Sequence, residues 1–72
     1  MERKRFLDLC LQAAMCPEHP SRVYFAKQHW TPSGYQLRFD KEGKAKHTAI
    51  LCSRERRCYM HADLDQVKEA EI

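Results

Sequence analysis

Glycine is scarce in this chain of 72 residues, which contains two glycines, three prolines and one tryptophan. No glycine-rich stretch resembles the loops that cradle phosphates, and no motif of a nucleophile elbow is present. The chain also lacks internal repeats and low-complexity segments. These absences exclude enzymes built on a phosphate-binding loop or a nucleophile elbow, and they exclude repeat proteins. The length predicts one small folded domain over residues 1–72 with a limited core.

The sequence has no long apolar stretch and no recognisable export signal. Its basic start is followed by apolar residues, but Asp8 and Gln12 interrupt them, and no small-residue cleavage site follows. Nothing approaches the length that crosses a bilayer. We therefore expect a cytoplasmic protein without a membrane partner, in which the four cysteines are reduced rather than paired in disulfides.

Charge is present but unevenly distributed. Residues 1–60 contain twelve lysines and arginines against six acids, whereas residues 61–72 contain one against four, which gives a net charge of +3. A mildly basic body followed by an acidic end is compatible with an anionic partner.

An N-terminal helix is predicted over residues 2–15. Apolar residues recur at helical spacing and predict a buried face, which Leu9 and Leu11 would widen. The helix should end before Pro17, because proline disfavours helical geometry in the preceding residue. The residues predicted to share the buried face are Phe6, Leu7, Cys10, Ala13 and Ala14.

Alternating patterns then predict an antiparallel meander of three or four strands. The strands are expected at residues 22–27, 35–40, 45–52 and 57–62, with loops at 17–21 and 29–34 and a tight turn at Gly43. Residues 63–72 predict a short C-terminal helix, because Asp63 and Gln66 have capping-box spacing. The predicted fold is α+β, with the N-terminal helix packed on one face of the meander.

Two pairs with the spacing C-x2-H raise the hypothesis of a zinc-stabilised domain. Cys16 with His19 and Cys58 with His61 together supply four ligands of the types that suit tetrahedral zinc. Side chains three apart on a strand point to opposite faces, so Cys58 and His61 could share one ion only if the strand broke between them. Structural cysteines without any cofactor are therefore the favoured interpretation.

Cys52 and Cys58 flank the segment SRERR and allow two registers of the last hairpin. If residues 48–52 pair with 58–62, the two cysteines stand opposite each other, close enough for a disulfide, and lie with Met60 on the core face. A reducing compartment favours free core thiols over that disulfide. The alternative register buries Ala49 and Leu51 and turns the cysteines outward.

A basic and aromatic sheet face is the sequence feature that favours a nucleic-acid partner. Aromatic rings stack on unpaired bases, and cations neutralise phosphates. No RNP-like or GXXG motif accompanies the pattern, and a solvated sheet face is the simpler interpretation. The residues assigned to this face and its turn are Tyr24, Arg38, His47, Arg54, Arg56, Arg57 and Tyr59.

Three stretches resemble the small uncharacterised proteins of conjugative transposons in Gram-positive gut bacteria. They are MERKRFLDLC, YQLRFDKEGKAKHTAILC and CYMHADLDQV. The resemblance implies a cytoplasmic accessory protein of a mobile element and assigns no functional residues. We expect a non-enzymatic binding module that contacts a protein through its sheet or the loop around Trp30, with nucleic-acid binding and zinc stabilisation as alternatives.

Overall fold

The computed structural model describes residues 1–16, 18, 22–53 and 55–70, and it confirms the α+β class. In these residues, one helix precedes a sheet of five antiparallel strands, and one 3-10 turn, Leu64–Gln66, precedes the last strand. The elements are α1 Arg3–Met15, β1 Val23–Phe25, β2 Gln28–Phe39, β3 Ala45–Ser53, β4 Cys58–Asp63 and β5 Lys68–Glu69.

The strand order is β4-β3-β2-β1-β5, so the chain forms a four-stranded meander and then returns to its first strand. The expected C-terminal helix is reduced to the 3-10 turn, and β5 replaces the rest of it by pairing with β1. The side chain of Asp63 makes no capping hydrogen bond at this turn. Leu64 and Val67 are buried, and their burial anchors the return of the chain across the domain.

β2 is much longer than predicted, because residues 29–34 are strand rather than loop. Trp30 and Pro32 lie in β2 with their side chains buried. The pairing with β3 shifts between Pro32 and Gly34, which leaves Ser33 as an extra residue in a bulge. A bulge tolerates proline within a sheet, since the ladder is already interrupted there.

α1 packs on one face of this sheet and contributes three buried residues. Phe6, Leu9 and Ala13 are buried, and Phe6 and Leu9 pack in one cluster with sheet residues that include Trp30 and Leu51. The predicted helix bounds are confirmed, but the predicted buried face is rotated. The residues of that prediction that are exposed instead are Leu7, Leu11 and Ala14.

The last hairpin matches the alternative register in burying Ala49 and Leu51, but of the two cysteines only Cys52 turns to the other face of the sheet. Cys52 pairs with Tyr59 and Ser53 with Cys58, so the two cysteines lie on opposite faces and are free thiols. Ala49 and Leu51 are fully buried, whereas Cys58 and Met60 are exposed. The expectation of a core stripe through Cys52, Cys58 and Met60 is therefore wrong, and so is the disulfide geometry. The buried alanine and leucine allow close packing on α1.

The far half of the β2–β3 hairpin extends beyond the helix and gives the domain a long dimension of 41 Å. Its turn contains Gly43 with a φ of +80°, the left-handed geometry that the sequence predicts. The Asp40 carboxylate accepts hydrogen bonds from the backbone N–H groups of Glu42 and Lys44, at 2.9 and 2.8 Å. These bonds fix the turn without help from the core.

The β1–β2 turn adopts left-handed geometry without glycine. Ala26 and Lys27 have φ values of +52° and +63°, as in the type I′ turns that match the twist of two-residue hairpins.

Among the described residues, no helix has both the length and the apolar character needed to cross a membrane.

Candidate interaction surfaces

The sheet has one face packed against α1, here called the covered face, and an opposite one, here called the open face. Strand register assigns each side chain to a face, because paired residues share a face and neighbours alternate. On this basis Trp30, Leu51 and Ala49 lie on the covered face. The charged and ring-bearing residues of the open face are Tyr24, His29, Arg38, Lys46, Tyr59, His61, Asp63 and Lys68.

Three of the predicted nucleic-acid residues share the open face, namely Tyr24, Arg38 and Tyr59. The assignment of His47 to it is wrong, because His47 pairs with Leu37 on the covered face, where its Nδ1 hydrogen-bonds the Tyr35 hydroxyl.

Arg57 does not lie on that face, and the predicted position of Arg56 in the β3–β4 turn is confirmed. Arg56 and Arg57 lie in the turn, and Arg57 has a φ of +53°. The assignment of Arg57 to the strand face is wrong, because β4 begins only at Cys58. Arg54 lies outside the described residues.

Strand alternation separates charges of opposite sign at β5. Lys68 pairs with Tyr24 and therefore lies on the open face, whereas Glu69 pairs with Val23 on the covered side. Glu69 accepts hydrogen bonds from the Arg5 guanidinium, one of them from Nε at 3.1 Å. This hydrogen bond and the attraction of Arg5 hold the pKa of Glu69 below its ordinary value. The acid beside Lys68 is thus already neutralised by α1.

A shallow cleft of about 280 Å³ lies beside β1 and β5. The Tyr24 and His29 rings meet edge to face there, with 5.3 Å between their centroids, and Lys68, Glu69 and Ala70 complete the lining. A tyrosine ring can stack on a flat group, and a lysine beside it can bind a negative charge that the same group carries. The sequence does not predict this cleft, because β5, which forms one side of it, has only two residues and no recognisable strand pattern.

A second surface lies on α1. Leu7, Leu11 and Met15 follow one another at i, i+4 and i+8, and their exposed fractions are 45%, 59% and 76%. Residues four apart lie above one another on a helix, so these three form a continuous apolar row, here called the helix stripe. Sequence periodicity found the apolar residues but placed Leu7 and Leu11 in the core.

The flank of α1 next to the helix stripe is polar and paired. Arg5 donates to Asp8 at 2.8 Å as well as to Glu69, and Gln12 donates to the same Asp8 carboxylate at 2.9 Å. The helix therefore presents a paired polar flank toward β5, and the helix stripe lies beside that flank.

Trp30 does not form an exposed loop contact. It is 3% exposed, and its indole N–H donates to the Phe25 carbonyl oxygen at 2.8 Å. The expectation of a protein contact through this tryptophan is wrong, because β2 carries the residue into the core.

The predicted zinc ligands are not brought together by β4. The strand is continuous from Cys58 to Asp63, so Cys58 and His61 point to opposite faces. Cys16 follows the end of α1, and His19 lies outside the described residues. In residues 1–16, 18, 22–53 and 55–70, no three His, Cys, Asp or Glu side chains form a metal-binding group.

Cys10 is a half-buried thiol on the core side of α1. It packs against the core from α1, and burial raises its pKa to about 11. A thiol with so high a pKa is protonated at neutral pH and is a poor nucleophile. Its environment is that of a small core residue.

Comparisons with protein-family models, with curated proteins and with solved structures give no match to this chain.

Proposed function

We propose that the protein is a non-enzymatic interaction module that binds an apolar helix of a protein partner along the helix stripe. The observation that carries this proposal is the exposure of Leu7, Leu11 and Met15 in one row. Single exposed apolar residues are common on protein surfaces, but an aligned set on one helix flank is the pattern that helix-in-groove contacts use.

The neighbouring flank supports the same interpretation. The polar side chains of that flank form hydrogen bonds with one another and with Glu69, where the helix meets β5; they are Arg5, Asp8 and Gln12. The stripe consists of large apolar side chains instead. Covering them removes apolar surface from water, which stabilises association by about 25 cal/mol per Å² before the costs of binding.

A second copy of the chain is the simplest partner to test, because the helix stripe is complementary to itself. Two antiparallel stripes related by a two-fold axis place Leu11 against its own copy, and Leu7 against Met15 of the second copy. A helix of 13 residues is about 20 Å long. A contact along one side of so short a helix buries less surface than the roughly 800 Å² per partner typical of stable complexes. We therefore expect weak, concentration-dependent association.

Sedimentation velocity over a range of protein concentrations tests the homotypic form. We expect the wild type to dimerise at high concentration and Leu11→Lys to remain monomeric, because a buried lysine at the axis would face its own copy. Leu37→Lys is the matched control, since Leu37 is also an exposed apolar residue, at 45%, but lies away from α1. Equal association of both variants would contradict a role of the stripe in dimerisation.

A photo-crosslinking amino acid at position 11 tests the heterotypic form in cells. We expect a discrete product that is absent when the same group replaces Leu37 and that disappears in the Met15→Lys background. If the wild type is monomeric and position 11 gives no product beyond that of position 37, the proposed function is wrong. An accessory role in a mobile element, as the sequence resemblance implies, is compatible with such a module.

A further inference from the structure

We propose that the open face is a separate binding site for single-stranded nucleic acid, independent of the helix stripe. Three features of this face support the proposal: its charge, its exposed rings and the cleft beside β1 and β5. Each of them follows from which residues the strand register places together.

The charge of the open face complements a phosphate backbone. Arg38 and Lys46 pair across β2 and β3, and Lys68 lies at the other end of the sheet. Against these three cations, Asp63 lies at the end of β4, and Asp65 of the following 3-10 turn lines a pocket together with Asp63 and Lys46. Glu69 lines the cleft with Lys68, but its carboxylate is paired with Arg5.

The rings of the open face are available for stacking. Tyr59 is 70% exposed on the edge strand β4, and Tyr24 is 37% exposed beside the cleft. His61 lies on the same side of β4 as Tyr59. Every nucleobase has a flat apolar face, so exposed tyrosines bind unpaired bases with little sequence preference.

The cleft gives this surface a place where both interactions occur together. The Tyr24 ring packs edge to face with His29, and Lys68 lines the same cleft. A base against the Tyr24 ring would place its phosphate within the reach of the flexible lysine side chain. A duplex hides its base faces, so this arrangement favours a single strand.

Fluorescence anisotropy with labelled 15-nucleotide oligo(dT) and oligo(U) tests the proposal with the whole chain. We expect binding at 50 mM salt that weakens roughly twentyfold at 200 mM, since three phosphate contacts give a slope of about −2 in log affinity against log salt. A duplex of the same length should bind more weakly than either single strand. The two oligomers distinguish a DNA from an RNA preference.

Two variants on the open face and one control locate the site. Tyr59→Ala should lower the affinity roughly tenfold through lost stacking, and Lys68→Ala should lower it and reduce the salt slope by about 0.7. Lys4→Ala removes the same charge from an exposed position on α1 and should change neither the affinity nor the salt slope. Circular dichroism verifies that each variant is folded.

Three results would overturn the proposal. The first is the absence of binding to both oligomers at 50 mM salt, which would leave an acidic protein as the candidate for this face. The second is an equal loss of affinity in Lys4→Ala and Lys68→Ala. The third is a duplex affinity equal to that of the single strands. None of these results bears on the helix stripe, which the sedimentation and crosslinking experiments test separately.

Discussion

The two ends of the sheet are built from the same alternating strands, and they differ in what covers them. At the near end, Trp30 and Leu51 point toward α1 and are buried. At the far end, Leu37 and Phe39 continue the same face of β2 but are 45% and 67% exposed. Apolar alternation therefore predicts which side chains share a face, whereas the length and position of the helix decide which of them become core.

The comparison also shows how little of the chain stabilises the domain. The buried cluster draws on α1, the near half of the sheet and the segment through Leu64 and Val67. The far hairpin is held by its strand ladder and by the turn at Asp40. We expect the near end to determine global stability and the far end to contribute little.

The largest expected effect separates these two ends directly. Leu51→Ala removes a fully buried side chain and should lower the free energy of unfolding by about 2–5 kcal/mol, through lost burial and the cavity left behind. Leu37→Ala, the same change at the exposed end, should cost less than about 1 kcal/mol. Urea denaturation of both variants measures the difference. Equal losses would show that the far hairpin contains a packed contact of its own.

A smaller effect compares the turns at the two ends. Gly43→Ala forces a side chain into a φ of +80° and should lower stability by about 1 kcal/mol. Lys27→Gly relieves the same kind of strain at a φ of +63° and should raise stability by up to about 1 kcal/mol. Thermal denaturation measures both shifts, with Lys41→Ala as a turn control that should be neutral. Shifts of the same sign would contradict this account.

The smallest effect concerns the edge of the near end, where Arg5 meets Glu69. Because the hydrogen bond to Arg5 holds the pKa of Glu69 below its ordinary value of 4.5, the pair stabilises the fold above that pH. This stabilisation is lost as the pH falls through the lowered pKa of the folded state. Arg5→Met should therefore differ least from the wild type in acid.

Carbon-13 NMR of the Glu69 carboxyl group measures that linkage. Its titration midpoint should be lower in the wild type than in Arg5→Met, and Gln12→Met, on the same flank, should leave it unchanged. Identical midpoints in the wild type and Arg5→Met would show that the pair is not populated in solution.

Local sequence signals predicted the elements that are regular over many residues. The bounds of α1 and the pairing of β3 with β4 follow from periodicity and from a short polar turn. β5 was not predictable in this way, because two residues have no periodicity. Its existence depends on the free edge of β1 and on hydrogen bonds such as that from the Ala70 N–H to the Arg22 carbonyl oxygen.

The candidate surfaces were predicted less well than the fold. Tyr24, Arg38 and Tyr59 were placed correctly by alternation alone. The helix stripe was missed because apolar residues occupy most of the circumference of α1, so that periodicity cannot tell Leu7 from Leu9. Only the position of the helix on the sheet, with Arg5 directed to β5, selects the face that is buried.

Ser33 determines how the two ends of β2 relate to each other. As the bulge residue it shifts the alternation by one position, so even-numbered Trp30 and Pro32 share a face with odd-numbered Tyr35, Leu37 and Phe39. Deletion of Ser33 would preserve the facing of every residue beyond it and simply straighten the strand. Deletion of one residue within the regular part of β2 would exchange the apolar and basic sides of the far hairpin. A one-residue change in chain length thus has opposite consequences at neighbouring positions.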